Sequence, residues 1–193
     1  SQQAAGEYFT ITGNGNTTTN INANTESARL TAQAVNALTY QTGVSATANN
    51  TVRVYFHDNS GADQDYNIIV ASEVAGSTVD FATFSAGADL VANAVAEFNK
   101  HAATTGFSAV AASDNTYLTL TASDGRDLYV TNEDNATNET IDLVSMNHAG
   151  TATEGSSITL DEAGGTAEFG VVSGTMQLRS ANQFTITAQS NAK

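Results

Sequence analysis

Apolar side chains recur at Ala28, Ala32 and Val35, and again at Val91, Val95 and Phe98, each set spaced i, i+4 and i+7. That spacing lines one face of an α-helix. Asn24 or Thr25 before the first set and Ser85 before the second are side chains suited to cap a first turn. Glu26 and Asp89 would lie near the positive ends of the helix dipoles. Gly43 and Gly106 end the two helices, because glycine reaches the left-handed conformation in which a chain turns back sharply.

Past each glycine the period changes to two. Val44, Ala46 and Ala48, like Phe107, Ala109 and Ala111, point one way, while Ser45, Thr47, Ser108 and Val110 point the other, the pattern of a strand. Turns are expected at Asn49-Asn50-Thr51 and at Ser113-Asp114-Asn115-Thr116. Second strands come next, over Val52 to His57 and Tyr117 to Ser123. Asx/Gly-rich turns at Asp58 to Asp65 and Asp124 to Asp127 lead to third strands over Tyr66 to Ala71 and Leu128 to Thr131.

The two stretches are copies of one pattern. Val35-Asn36, six residues, then Gly43-Val44-Ser45-Ala46 is matched without a gap by Phe98-Asn99, six residues, then Gly106-Phe107-Ser108-Ala109, at an offset of 63. Duplication of a supersecondary unit makes architecture, rather than a single active site, the dominant feature of the chain. The repeat-motif residues Val35, Asn36, Gly43, Val44, Phe98, Asn99, Gly106 and Phe107 are therefore the candidate site. One helical step past its apolar anchor, the amide of Asn36 or Asn99 either bonds the backbone of a neighbouring strand or simply borders the buried stripe.

These elements predict an α+β fold in which two repeated helix–strand–strand–strand units pack on mostly antiparallel sheets, with a C-terminal β-hairpin. Residues 1–75 would hold an N-terminal strand (Tyr8 to Thr12) and the first unit. Residues 76–150 would hold a linking strand (Val79 to Phe84), the second unit and a polar loop, with one short strand around Ile141 to Val144. Residues 151–193 would return through Ser157 to Leu160 and a hairpin over Thr175 to Ala188. Phe184-Thr185-Ile186-Thr187-Ala188 echoes Phe9-Thr10-Ile11-Thr12-Gly13, so the two ends are expected to lie close, as insertion into a parent domain requires.

The repeated motif, together with Leu-Thr-Leu-Thr-Ala-Ser-Asp-Gly-Arg-Asp-Leu-Tyr-Val at 118 to 130 and Gly-Thr-Met-Gln-Leu-Arg-Ser-Ala-Asn-Gln-Phe-Thr-Ile at 174 to 186, resembles the variable outer region of bacterial flagellins and hook-associated proteins. The repeat itself is similar to the flagellin hook IN repeat. The resemblance implies a surface-exposed structural domain of an extracellular flagellar filament, without catalysis. Its partners would be other filament subunits, reached through a parent domain and through outer-domain contacts. The long terminal helices that are the hallmark of flagellins do not occur here. With no initiator Met either, the chain reads as an outer portion of a longer protein.

Composition narrows the alternatives. Six Lys and Arg against 20 Asp and Glu leave a net charge of −14, which repels nucleic acid and anionic membranes. Charged residues are only 13% of the chain, about half the usual share, so Asn, Thr, Ser, Gln and Ala coat the surface. The absence of cysteine excludes disulfides and thiolate metal sites, and no apolar run approaches the roughly 20 residues of a membrane-spanning helix. Proline is also absent, which spares a chain exported unfolded the slow isomerisation of X–Pro bonds, or reflects compositional drift.

Candidate chemistry is thin. His57, His101 and His148 share no helical ligand spacing, and His101 is expected to be solvated beside a helix C-terminus. Asp58 to Asp65 is oxygen-rich but has Ile69 at the twelfth position, where a calcium loop needs an acid, and Arg126 opposes a cation at Asp124 to Asp127. No Gly-x-Ser-x-Gly elbow or phosphate loop occurs. No metal, cofactor or catalytic residue is expected. A second reading from another class is a binding module, in which Tyr55, Tyr117 and Tyr129 on strand faces grip a glycan or a protein.

Overall fold

The computed structural model describes residues 7–22, 27–58, 65–81, 84–85, 89–133, 139–161 and 168–190. It is a mixed α and β fold with antiparallel sheets and no barrel. Along the chain run β1 (Glu7–Gly13), β2 (Asn16–Thr17), β3 (Ile21–Asn22), α1 (Ala28–Ala37), α2 (Thr39–Thr42) and β4 (Val44–Asp58). Next come β5 (Asp65–Tyr66), β6 (Ile68–Ser72), β7 (Val79–Asp80), β8 (Phe84–Ser85), α3 (Leu90–Lys100) and α4 (Ala102–Thr105). The chain closes with β9 (Ser108–Ala111), β10 (Leu118–Ala122), β11 (Leu128–Asn132), β12 (Glu139–Ser145), β13 (Ile158–Asp161), β14 (Glu168–Val172), β15 (Thr175–Ser180) and β16 (Phe184–Ser190).

Two apolar cores divide the chain. In the first lobe Ile11, Ile21, Ala32, Val35, Val44 and Ala46 are joined by Met176, Leu178 and Phe184 from the far end of the sequence. In the second, residues between Val52 and Val172 pack together, among them Tyr66, Phe81, Phe98, Phe107, Leu118, Leu120, Leu128, Ile141 and Leu143. The expected boundaries at 75 and 150 therefore fall inside the second core. The whole second lobe lies between the two halves of the first.

The cause is β4. The turn expected at Asn49-Asn50-Thr51 does not form, and the strand runs straight from one lobe into the other. Its first half, Val44 to Asn49, pairs with β15; its second half pairs with β10 and β12. Asn50 stays extended because its buried amide, 1% exposed, donates to the carbonyls of Arg126 (2.9 Å) and Val172 (2.8 Å). In the other copy the turn does form, and β9 folds back on β10. The contiguous helix–strand–strand–strand unit expected of the first copy is thus broken after its first strand.

Two further expectations are corrected at the C-terminal end. Thr175 to Ala188 is not a hairpin: β15 pairs with β4, whereas β16 pairs with β1 over Glu7 to Gly13. Alternation marked both strands but carried no information about partners. Residues 132–156 hold more than a loop with a short strand, since β12 pairs with β4 over seven residues and buries Ile141 and Leu143. The terminal strands β1 and β16 lie side by side.

Strand registers correspond between the lobes beyond the motif itself. Asn16 and Thr17 pair with Gly13 and Thr12 as Val79 and Asp80 pair with Val70 and Ile69. Ile21 and Asn22 pair with Phe9 and Tyr8 as Phe84 and Ser85 pair with Tyr66 and Asp65. Ala46 and Ala48 face Leu178 and Met176 as Ala109 and Ala111 face Leu120 and Leu118. Finally β1 pairs with β16 as β6 pairs with β11.

Candidate functional site: an asparagine latch in each copy

The motif residues build the same joint twice. In α1, Thr31, Ala32 and Val35 are buried; in α3, Val91, Ala94 and Phe98 are. Directly after each anchor the Asn turns its amide onto the strand beyond the helix. The Asn36 side-chain N–H donates to the Ala46 carbonyl (2.9 Å), and the Ala46 N–H donates to Asn36 Oδ1 (2.8 Å). Asn99 makes the same pair of bonds with Ala109, at 2.9 and 2.8 Å. Of the two roles open to these residues, the structure has the backbone-bonding one. The planar amide, using one N–H and its carbonyl oxygen, stands in for a neighbouring strand.

The chain reaches that strand through a second shared device. Gly43 and Gly106 take φ of 69° and 80°, the left-handed region open to glycine, and their N–H groups donate to Thr39 and Ala102 carbonyls (2.7 and 2.8 Å). The residue before each glycine is a buried Thr. Thr42 Oγ1 accepts from the Val44 N–H and Thr105 Oγ1 from the Phe107 N–H, both at 3.2 Å, and the same hydroxyls donate back to the Leu38 and His101 carbonyls. Sequence reasoning missed these threonines, although they obey the same 63-residue offset.

Outside the shared joint the copies differ in chemistry. At the second latch the Arg126 guanidinium lies against Gly106, donates to the Thr105 carbonyl (3.1 Å) and pairs with Asp124 (2.7 Å). At the first, Asn14 lies against Gly43 and Asn16 donates to the Gln41 carbonyl (3.1 Å). His101 stacks on Phe81 at 5.4 Å and meets Glu97 at 3.1 Å, so it is packed rather than solvated. Leu38 stands in its place in the first copy. Burial works to raise the Glu97 carboxyl, but hydrogen bonds from Lys100 and His101 leave it below its ordinary range. Burial likewise works to raise the Asp124 carboxyl, but the bonds from Arg126 overcome it and leave the group below its ordinary range.

The lobes meet at a polar seam that the sequence did not announce. Glu73 accepts from Arg29 Nε (2.8 Å), from the Ser27 hydroxyl (2.9 Å) and from the Asp127 N–H (2.8 Å). Burial, reinforced by the Glu73 charge, pushes the Asp127 carboxyl up, against bonds from Gly174 and Ser173 that pull it down. A Cβ on Gly174 would run into the Gly125 and Asn49 carbonyl oxygens.

The helix starts fall elsewhere than expected. Ser27 caps α1, accepting from the Leu30 N–H, while Asn24, Thr25 and Glu26 lie outside the described residues. Ser85 belongs to β8, and α3 starts after Asp89 without a side-chain cap. The oxygen-rich stretch 59–64 also lies outside the described residues. Asp124 to Asp127 is an Asx turn in which the Arg126 N–H donates to Asp124 Oδ1 (3.3 Å). Among the described residues no group of three His, Cys, Asp or Glu side chains converges as a metal site. Tyr55 and Tyr117 meet at 5.1 Å with the Arg53 guanidinium 4.8 Å from the Tyr117 ring centre, and His57 pairs with Asp142 at 2.9 Å. Tyr129 stacks instead on Phe169, in a different sheet.

No protein-family model matches this sequence, and comparison with curated proteins finds no match.

Proposed function

We propose that this chain is a surface-displayed structural domain of a bacterial flagellin-type filament subunit, built from two related units of which the second interrupts the first. The first unit comprises β1, β2, β3, α1, α2 and the first half of β4, completed by β15 and β16. The second comprises β5 to β8, α3, α4 and β9 to β11, and it sits where a hairpin turn would join β4 to β15. The observation that carries this reading is the latch, the same two bonds from Asn36 to Ala46 and from Asn99 to Ala109. Those residues belong to the repeated motif, one of the three parts of the flagellin resemblance, the others being 118 to 130 and 174 to 186. The side-by-side terminal strands suit an outer domain that leaves and rejoins a parent at one edge. A polar surface with a net charge of −14 suits display to the medium.

The test is to delete residues 7–190 from the parent gene. The expected result is a filament that still assembles but is thinner in electron micrographs and no longer binds antibody raised against this chain. A filament of unchanged width, or antibody labelling away from filaments, would contradict the reading.

A glycan-binding role on the solvent face of the second lobe is the second reading, favoured by the Tyr55, Tyr117 and Arg53 cluster. Aromatic faces with polar neighbours suit sugar rings. A glycan array on the wild-type chain, repeated with Tyr55→Ala and Tyr117→Ala, decides it.

A further inference from the structure

The two lobes differ at one edge. In the second, β10 is flanked on both sides, with Leu118 and Leu120 facing Ala111 and Ala109 on β9, and facing Val54 and Val52 on β4. Both leucines are fully buried, at 0% exposure. Their counterparts on β15, Met176 and Leu178, face Ala48 and Ala46 on one side, and among the described residues no strand pairs with the other side. Both are only half-buried.

The backbone on that side is turned outward. Ala46 spends its N–H and carbonyl on Asn36, on the flank away from β15, so Ala46 and Leu178 form a non-hydrogen-bonded pair. Leu178, and by the alternation of the ladder Met176, therefore aim their N–H and carbonyl groups at the open flank. Leu118 and Leu120 aim the same groups at β4. The outer flanks of β4 and β9 are closed by the Asn36 and Asn99 amides, whereas neither proline nor an inward charge guards β15.

We infer that the open flank of β15 is a strand-acceptor seam, filled by an antiparallel strand of the parent polypeptide with apolar residues at two alternate positions. The inference rests on the reading of this chain as part of a filament subunit. In the second lobe the slot is filled by the strand that leads into the lobe, Val52 and Val54 of β4, and in the first lobe a strand of the parent polypeptide outside residues 1–193 would take that place. A second copy of this chain is a poor occupant, because each copy brings a net charge of −14 to the contact. Backbone hydrogen bonds would hold the strand, and its apolar residues would cover Met176 and Leu178.

The experiment is amide exchange by NMR on the whole chain, alone and with a synthetic peptide of residues 51–57, the strand that fills the slot in the second lobe. Met176 and Leu178 amides are expected to exchange about tenfold or more faster than those of Leu118 and Leu120, and to slow when the peptide is added. A peptide with Asp at the positions of Val52 and Val54 should have no effect. Equal protection of all four amides in the free monomer would overturn the inference. So would a peptide without effect at millimolar concentration, or protection that arises only through dimerisation of the chain. The two readings fail separately. A parent protein that builds no filament removes the filament reading whatever the peptide does, and a filament subunit whose Met176 and Leu178 amides stay unprotected removes the seam alone.

Discussion

The two copies of the motif use one joint in opposite topological settings. In the second lobe the latched strand β9 finds its partner β10 after a short turn, so helix, latch and hairpin are all local. In the first, the latched half of β4 runs on into another lobe, and its partner β15 arrives only after that lobe is complete. A latch that works in both settings must depend on the helix and the strand it holds, not on the route the chain takes beyond them. The unbroken motif ends at Ala46 and Ala109, the residues that the two latches hold. Local closure also carries a smaller loop entropy, so the second lobe is expected to order first.

The largest contrast should come from the anchors. Phe98→Ala removes a ring packed edge-on against Phe81 at 4.7 Å and is expected to cost about 4 kcal/mol, whereas Val35→Ala should cost about 2 kcal/mol. Urea titration followed by residue-resolved NMR should place each loss in its own lobe. The latches should instead be equal. Asn36→Ala and Asn99→Ala each strand a backbone N–H and carbonyl and are expected to cost about 2 kcal/mol. A difference larger than about 1 kcal/mol between them would break the claim of a shared joint. Smaller still, Thr42→Val and Thr105→Val should each cost about 1 kcal/mol by removing the hydroxyl that receives the Val44 or Phe107 N–H.

Acid should separate the copies. Glu97 and Asp124 are held below their ordinary values of 4.5 and 3.8, so their contribution is present above the unfolded values and is lost as pH falls through the lowered folded values. Asp127 is raised, so it acts the other way, favouring the fold once protonated and losing that contribution as pH rises through its folded value. The first latch is surrounded by Asn14 and Asn16, without a carboxylate bonded to it among the described residues. Below about pH 4 amide exchange should therefore accelerate at Ala109 before Ala46. Equal acceleration would mean that the charged clamp at Arg126 does not support the second latch.

Much of this architecture was legible in the residues, and the misses have physical causes. Apolar spacing located both helices, and the offset between Asn36 and Asn99 exposed the joint; the glycines cap not α1 and α3, which break at Leu38 and His101, but the short helices α2 and α4 that follow them. The Asn49-Asn50-Thr51 cluster carries a turn signature, yet Asn50 is buried between two carbonyls that come from Arg126 and Val172, far along the chain. Local composition cannot reveal such partners. β15 and β16 were visible as alternating runs, but the period-two pattern does not say which strand lies alongside. Glu73 joins Arg29, Ser27 and Asp127 only through tertiary packing, and nothing around it in sequence marks it.

The equivalence of the two copies requires that β15, not a local strand, complete the first, in the register that β10 gives the second. The chain has no cysteine, so a cross-link reads that register cleanly. Ala46 and Leu178 form a non-hydrogen-bonded pair, whose Cα separation of about 4.5 Å falls within disulfide reach. Ala46→Cys/Leu178→Cys is expected to close a quantitative intramolecular disulfide on mild oxidation, as the local control Ala109→Cys/Leu120→Cys does. Free thiols or intermolecular dimers from the first pair, with the control still closing, would refute the shared register.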